Sequence, residues 1–226
     1  MRRVVLVAVL ALFVVCVGAV NAETVSTTLY PGFNLVGPAA VPLDPSPTTV
    51  FKSNAGAALD LSNLVRYDSV LKSYISYDEL FPEDYGNVLL GEGAWLAQSS
   101  QIVWQYDGAP NGLGDTQGNN KTDMWISLPK AGFSLIGNPF NNKVMLANIK
   151  VTNGSTTVGW DEAVGLCWLD TTMTGYDGVT HSYFDVGTDD VLFDHVTLDP
   201  FHGYWIHSSI DNLALIIPAS AIVVAQ

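Results

Sequence analysis

The sequence predicts an all-β protein with one or two short helices, built from two tandem related modules that are sandwich- or barrel-like. Three observations predict this fold class. Short apolar or β-branched runs bounded by Pro, Gly, Asn or Ser recur along the chain, long helical periodicity is absent, and several short motifs occur twice in the same order. The 226 residues are 48% hydrophobic and 14% charged, which excludes a disordered chain and allows a packed core.

The first segment of the chain is predicted to be a secretory signal peptide over residues 1–22. Two arginines precede an apolar run from Val4 to Val20, and a small-residue cleavage pattern ends at Ala22. An uncleaved membrane anchor is the alternative, because this run of 17 residues lies at the short limit for crossing a bilayer. We therefore expect a protein that is secreted or held at the cell surface, with no integral membrane segment after cleavage.

The net charge excludes one class of partner, and the cysteine content excludes an intramolecular disulfide. Cleavage leaves 7 basic against 22 acidic residues, a net charge of −15, and such an acidic chain is unsuited to nucleic acid. Cleavage also removes Cys16, so that Cys167 remains alone and no intramolecular disulfide can form. We expect Cys167 to be a small buried apolar residue.

The internal repeat rests on four motif pairs. Residues 32–38 (GFNLVGP) recur at 132–138 (GFSLIGN), and the further pairs are residues 64–68 with 166–170, 72–75 with 181–184, and 93–96 with 203–206. The offset rises from 100 to 110, as loop insertions in a second copy would produce. We predict a first β module over residues 23–106, a Gly/Asn/Asp-rich linker over 107–121 and a second β module over 122–226.

Individual elements follow from local pattern. Strands are predicted at residues 101–104, 144–146, 213–217 and 221–224. Helical turns are predicted from Pro47 to Lys52, with Ser46 as N-cap, and from Trp160 to Gly165. If the strand at 221–224 is unpaired within its own module, it could pair with a second copy of the chain and cause self-association.

The repeated glycines and tryptophans are interpreted as determinants of the fold. Gly32, Gly132, Gly93 and Gly203 each precede a repeated residue and allow a positive φ or a close backbone approach. Along the last repeated strand, Tyr204 and Ile206 point one way while Trp205 and His207 point the other. We expect Trp95 and Trp205, which occupy equivalent positions, to be core residues.

These motifs resemble a tandem β-rich module of secreted bacterial proteins whose function is unassigned. The resemblance rests on Gly-aromatic-Asn/Ser-Leu-Val/Ile near the start of a unit and on Gly-Tyr-Trp before its last strand, with the second copy matching better than the first. In the first copy, Ala94 stands where Tyr is usual. The resemblance implies a secreted β module and supplies no catalytic residue.

The sequence lacks the common catalytic motifs and therefore predicts a protein that is not an enzyme. The segment 132–137 lacks the spacing of a Gly-x-Ser-x-Gly elbow, and neither a zinc-protease helix nor a phosphate-binding loop occurs. Glu79, Glu83, Asp84 and Glu92 could form paired carboxylates for glycoside hydrolysis, but sequence does not give their separation.

The sequence offers candidate ligands for two kinds of metal site. All four histidines fall in the second copy among aspartates, and the candidate ligands of a metal-dependent hydrolase are His195, His202, Asp194 and Asp199. No cofactor is predicted, with calcium as the alternative at two acidic stretches that do not fit an EF-hand loop: Asp107, Asn111, Asp115 and Asn119, and Asp185, Asp189 and Asp190.

The function predicted from the sequence is that of a non-catalytic structural or interaction protein of the cell surface or extracellular matrix. Its partner would be a protein or a cell-surface polysaccharide. The alternative is a carbohydrate-binding module that stacks sugar rings on whichever of four unpaired tryptophans are exposed, namely Trp104, Trp125, Trp160 and Trp168.

Overall fold

A computed structural model describes residues 22–57, 59–109 and 122–219. The predicted signal peptide and the predicted strand at 221–224 lie outside these residues. In the first half the strands are β1 (Glu23–Leu29), β2 (Gly32–Val36), β3 (Val41–Pro42), β4 (Lys52–Ser53), β5 (Val65–Asp68), β6 (Ser73–Ser76), β7 (Ala94–Gln98) and β8 (Ile102–Ala109), and the helices are α1 (Pro47–Val50) and α2 (Pro82–Tyr85). None of the helices in the described ranges is long and apolar enough to cross a membrane.

The second half repeats much of this order. Its strands are β9 (Met124–Leu128), β10 (Gly132–Gly137), β11 (Val144–Met145), β12 (Lys150–Thr152), β13 (Thr157–Gly159), β14 (Met173–Asp177), β15 (Ser182–Val186), β16 (Thr197–Leu198), β17 (Gly203–Ser208) and β18 (Leu213–Ile217). A 3-10 turn spans Leu146–Asn148, and α3 spans Trp160–Gly165. The prediction of an all-β fold with short helices is confirmed.

Each half contains two four-stranded sheets. In the first half the orders are β1-β8-β3, with β4 also pairing β8, and β2-β7-β5-β6. In the second half they are β13-β12-β18-β9 and β10-β17-β14-β15, with β11 and β16 forming a separate pair. The sheets β2-β7-β5-β6 and β10-β17-β14-β15 therefore join corresponding strands in the same order.

The two sheets of each half enclose one core. In the first half, Trp104 of β8 and Leu96 of β7 are fully buried in the same cluster, and the indole Nε1 of Trp104 donates to the Val50 carbonyl at 2.8 Å. In the second half, Leu215 of β18 and Ile206 of β17 share a core with Trp160. Apolar side chains on alternate positions of a strand thus face inward, as the period of a half-buried strand requires.

Two elements end where local geometry differs from the prediction. Helix α1 keeps Ser46 as N-cap but ends at Val50, because Lys52 and Ser53 pair with β8 instead. Helix α3 has the predicted bounds. Beyond it Cys167 adopts φ +56°, and the Trp168 amide donates back to the Ala163 carbonyl at 2.9 Å. This left-handed helix end turns Cys167 out to solvent, so the expectation that it is buried was wrong.

Two boundaries of the repeat also differ. Strand β8 continues through Ala109 and pairs there with Val41, so residues 107–109 belong to a sheet rather than to the linker. The predicted match of residues 64–68 with 166–170 was wrong as well. Strand β5 holds the same place in its sheet as β14, so the sheet order aligns Tyr67-Asp68 with Tyr176-Asp177. Residues 166–170 instead form the connection after α3.

Candidate functional site

The two halves meet through a pair of reciprocal backbone contacts. The Gly37 amide donates to the Phe201 carbonyl at 3.0 Å, and the Gly137 amide donates to the Gly91 carbonyl at 2.9 Å. Gly37, directly after β2, is equivalent to Gly137, the last residue of β10, and Gly91 and Phe201 are equivalent positions before β7 and β17. Each half therefore gives the other the same contact, as in an approximately two-fold arrangement.

Close backbone approach at this junction requires glycine. A Cβ atom on Gly37 would lie 2.7 Å from the Gly137 Cα, and one on Gly137 would lie 2.6 Å from the Glu92 carbonyl oxygen. Real Cβ contacts do not reach such distances, and the obstructing atoms are backbone. Gly93 and Gly203 are restricted in the same way by carbonyl oxygens of the opposite half, which confirms the close backbone approach predicted for these two glycines.

The contact between the halves is asymmetric at Phe201. Although it belongs to the second half, this side chain is 6% exposed and lies in the core of the first half, where its ring packs edge-on against Trp104 at 5.6 Å. The equivalent position in the first half is Gly91, which has no side chain to insert. Phe201 is thus an anchor from one half into the other.

Aromatic side chains cover both sides of the junction in two equivalent groups. Cluster A contains Phe33 and Trp95 of the first half with Tyr176 and Tyr183 of the second. Trp95 contacts Tyr176 at 5.1 Å and Tyr183 at 6.3 Å between ring centroids. All the contacts among these rings are edge-to-face, a favourable geometry for aromatic pairs.

Cluster B repeats this arrangement with the halves exchanged. It contains Phe133 and Trp205 of the second half with Tyr67 and Tyr74 of the first. Trp205 contacts Tyr67 at 5.2 Å and Tyr74 at 6.4 Å. The distances match those of cluster A to within 0.1 Å, so the two clusters are geometric counterparts.

Each cluster leaves two rings largely open to solvent. Phe33 and Tyr183 of cluster A are 53% and 62% exposed, and Phe133 and Tyr74 of cluster B are 56% and 59% exposed. The two tryptophans beneath them are half-buried. Because the exposed rings are supported by partly buried rings rather than standing alone, each cluster presents an ordered apolar surface that can contact a partner.

Beside each cluster lies a cavity at the junction. Cavity I, of about 280 Å³, is lined by residues that include Arg66, Tyr67, Glu92 and Ser134. Cavity II, of about 350 Å³, is lined by the counterparts Tyr176, His202 and Asn34, together with other residues. Tyr67 and Tyr176 also belong to clusters B and A, so each cavity adjoins one cluster.

The polar side chains of the two cavities differ. In cavity II the amide of Asn34 bonds the backbone of Tyr30 through both its oxygen and its nitrogen. In cavity I the Ser134 hydroxyl has no hydrogen-bond partner among the described residues, although Ser134 is 5% exposed, and neither has the buried Nε of Arg66. Burial raises the pKa of the Glu92 carboxyl, and the Arg66 charge opposes this shift.

The predicted transition-metal ligands do not converge. No group of three His, Cys, Asp or Glu side chains in the described ranges could hold a metal ion. His195 lies against the Phe184 ring at 4.4 Å, whereas His202 lies at the junction, bridged to Val36. Asp199 pairs with Lys143 at 2.9 Å, and Asp194 lies in the exposed segment before His195. The metal site proposed from these four residues was therefore wrong.

The acidic stretches considered for calcium serve local structure. Asp107 accepts a hydrogen bond from the Thr24 hydroxyl, Asp185 from the Thr174 hydroxyl and Asp189 from the Val191 amide, each within 2.9 Å. Asp190 is exposed. Asn111, Asp115 and Asn119 lie outside the described residues. The described carboxylates thus hold turns and strands, as Asp commonly does.

The four candidate sugar-binding tryptophans divide by burial. Trp104 and Trp160 are fully buried, and their indoles donate to backbone carbonyls, so neither can stack on a sugar and that assignment was wrong for both. Trp168 is partly buried against the core of the second half. Trp125 on β9 is 59% exposed and is the member of the set that keeps an open ring.

The aromatic clusters were missed because Trp95 and Trp205 were assigned to the core. The predicted alternation of β17 is correct, since Tyr204 and Ile206 are buried. However, the opposite face of the strand meets the other half rather than solvent, and neither Trp95 nor Trp205 belongs to a core cluster. The signal that could have located the clusters is the recurrence of Phe33 as Phe133 and of Tyr74 as Tyr183, both on faces opposite to the core.

Comparison with protein-family models, with curated proteins and with solved structures finds no match to this chain.

Proposed function

We propose that this chain is an exported, non-catalytic interaction protein of the cell surface or extracellular matrix, and that clusters A and B are its contact surfaces. The observation that carries the proposal is the pair of equivalent clusters, each built by both halves and each exposing two supported rings. Aromatic side chains dominate the energetics of protein contact surfaces, and their rigidity limits the entropy lost on binding.

Duplication of one ancestral unit would explain why the chain carries two equivalent surfaces. The sheets β2-β7-β5-β6 and β10-β17-β14-β15 have the same strand order, and this order and the reciprocal contacts at the junction support a duplication. Two equivalent surfaces on one chain can engage a repeating partner at two points, which raises avidity without any new kind of contact. The signal peptide predicted over residues 1–22 would bring the chain to such a partner outside the cell.

Carbohydrate is the second candidate ligand of these surfaces. Exposed Trp125 and the four open cluster rings favour it, because the apolar face of a sugar ring packs on an aromatic face. The acidic composition fits a neutral or basic partner better than an acidic polymer. Mature protein released from its own cells would be the material for testing either partner.

Removing the exposed rings should release the protein from the cell surface. In the variant Phe33→Ser/Tyr74→Ser/Phe133→Ser/Tyr183→Ser, both tryptophans of the junction remain, so we expect a folded protein whose surface-bound fraction falls about tenfold, as loss of aromatic anchor residues commonly does. The measurement compares cell-bound and medium fractions in the organism that encodes the chain.

The matched control is Leu80→Ser/Val191→Ser. These side chains are 81% and 87% exposed but lie outside both clusters, so the control removes apolar surface without touching the junction. It should remain bound like the wild type. Equal retention of the ring variant, the control and the wild type would refute the role of the clusters, and a wild type that is never found outside the cytoplasm would refute the proposal as a whole.

A further inference from the structure

Cavity I contains polar groups that the fold does not use. Of three buried side-chain nitrogen or oxygen atoms without a hydrogen-bond partner in the described ranges, two belong to residues that line this cavity, namely the Ser134 Oγ and the Arg66 Nε. Buried polar atoms in folded proteins are nearly always paired, so each unpaired one calls for an explanation. Two on residues of one cavity make cavity I the strongest candidate for a ligand site among the described residues.

The equivalent residues explain why Ser134 is unpaired. In the first half, Asn34 donates to the carbonyls of Tyr30 and Gly32. In the second half, Ser208 donates to the equivalent carbonyls, of Lys130 and Gly132, at 3.1 and 3.4 Å. Because Ser208 performs the structural task of Asn34, the hydroxyl of Ser134 has no task in the fold.

Arg66 is also placed for binding rather than for pairing. It is the only arginine after residue 22 in the sequence, and among the described residues its guanidinium forms no ion pair within 4.0 Å. It lies over the Tyr85 ring, with its Cζ 5.3 Å from the ring centroid. The equivalent position in the second half is Gly175, so this cation belongs to cavity I alone.

The charges and size of cavity I define the class of ligand. Arg66 supplies hydrogen-bond donors, Glu92 and Asp68 supply carboxyl oxygens, and Ser127 and Ser134 supply hydroxyls. Opposite charges are therefore both present, which disfavours a simple anion or cation. A volume of about 280 Å³ lies at the small end of ligand sites, and the Tyr67 ring in the wall continues into cluster B.

We propose that cavity I binds a single neutral sugar ring, with hydroxyl groups bonded to Arg66, Glu92 and Ser134 and an apolar face beside Tyr67. This inference deepens the proposed function and rests on it, because it names the ligand class of a site that adjoins the contact surface of cluster B. Cavity II lacks the arginine, and the side chain of Asn34 is already bonded to the backbone of Tyr30 and Gly32. Cavity II therefore binds no sugar in this way.

The test measures binding of free monosaccharides to the mature chain. D-glucose, D-galactose, D-mannose and N-acetyl-D-glucosamine are titrated separately, with saturation-transfer NMR to detect binding and calorimetry to measure affinity. At least one of them should bind. Arg66→Met, which keeps an apolar stem but loses the guanidinium, should weaken that affinity about tenfold, the usual effect of losing a hydrogen bond to a charged group.

Ser134→Ala separates binding from folding. Since the hydroxyl has no partner in the protein, its removal should leave the melting temperature unchanged or higher, while the sugar affinity falls about fivefold. His202→Gln, at the position in cavity II equivalent to Glu92, is the matched control and should leave the affinity unchanged.

The outcomes distinguish this inference from the proposed function. Absence of binding by all four sugars, or binding that Arg66→Met and Ser134→Ala leave unchanged, would overturn the assignment of cavity I. If the wild type is nevertheless retained at the cell surface through its cluster rings, the proposed function stands without a sugar in cavity I. Loss of both properties would overturn the two together.

Discussion

Replacing Phe201 by alanine should lower the free energy of unfolding by about 3–5 kcal/mol, the cost typical of truncating a buried phenylalanine. Its ring is 6% exposed and packs against Trp104 inside the first half, so the cavity would open in a core that belongs to the other half of the chain. Urea unfolding followed by tryptophan fluorescence measures the effect.

A second substitution tests the origin of this loss. Phe201 has φ +64°, a conformation that glycine adopts without steric cost, and Gly91 stands at the equivalent position. Phe201→Gly should therefore be no less stable than Phe201→Ala, although glycine is usually the more destabilising residue. The loss expected for Phe201→Ala is about 3–5 kcal/mol in the free energy of unfolding. A loss of less than about 1 kcal/mol, well below this range, would show that Phe201 does not anchor the halves.

Replacing Gly137 by alanine should destabilise the protein by roughly 3 kcal/mol, the upper part of the range for overpacking. The new Cβ would meet the Glu92 carbonyl oxygen at 2.6 Å and the Gly37 Cα at 3.0 Å. Both obstacles are backbone, so no side-chain rotation relieves the clash and the halves must separate locally. Thermal unfolding of the purified variant checks the expected loss.

The matched control for Gly137→Ala is Gly165→Ala. A Cβ at position 165 meets no atom within 4 Å, and this residue ends helix α3. Alanine there should leave stability unchanged or raise it slightly, because it restricts the unfolded chain and favours helix. Equal melting temperatures for Gly137→Ala and the wild type would contradict the close contact at the junction.

Local pattern was enough to predict several elements of the fold. Helix α3 has acidic residues in its first turn, and β18 is an apolar run ended by Pro218, so each carries its own start and stop signals. The alignment of β5 failed for an equally local reason. Its counterpart β14 has Gly175 where β5 has Arg66, which weakens the correct match. The Leu-x-x-x-Asp pattern of residues 64–68 also occurs by chance at residues 166–170, seven residues before the true counterpart.

The junction could not be predicted in the same way. Alternation along β17 separates Tyr204 from Trp205, but it does not say whether the second face meets solvent, a core or another module. The position of Phe201 in the core of the first half depends on long-range packing, which a short stretch of sequence does not reveal. Likewise, the sequence does not show that Ser134 is unpaired. This follows from the structure, in which Ser208 donates to the carbonyls equivalent to those that Asn34 bonds in the first half.

Indole NMR signals of 15N-labelled protein test the central claim most directly, because each tryptophan reports one place in the molecule. On titration with soluble polysaccharide from the surface of the encoding organism, the signals of Trp95 and Trp205 should shift, whereas those of buried Trp104 and Trp160 should stay fixed. Shifts confined to Trp125, or an unchanged spectrum while the protein demonstrably binds, would contradict a binding surface at the junction of the two halves.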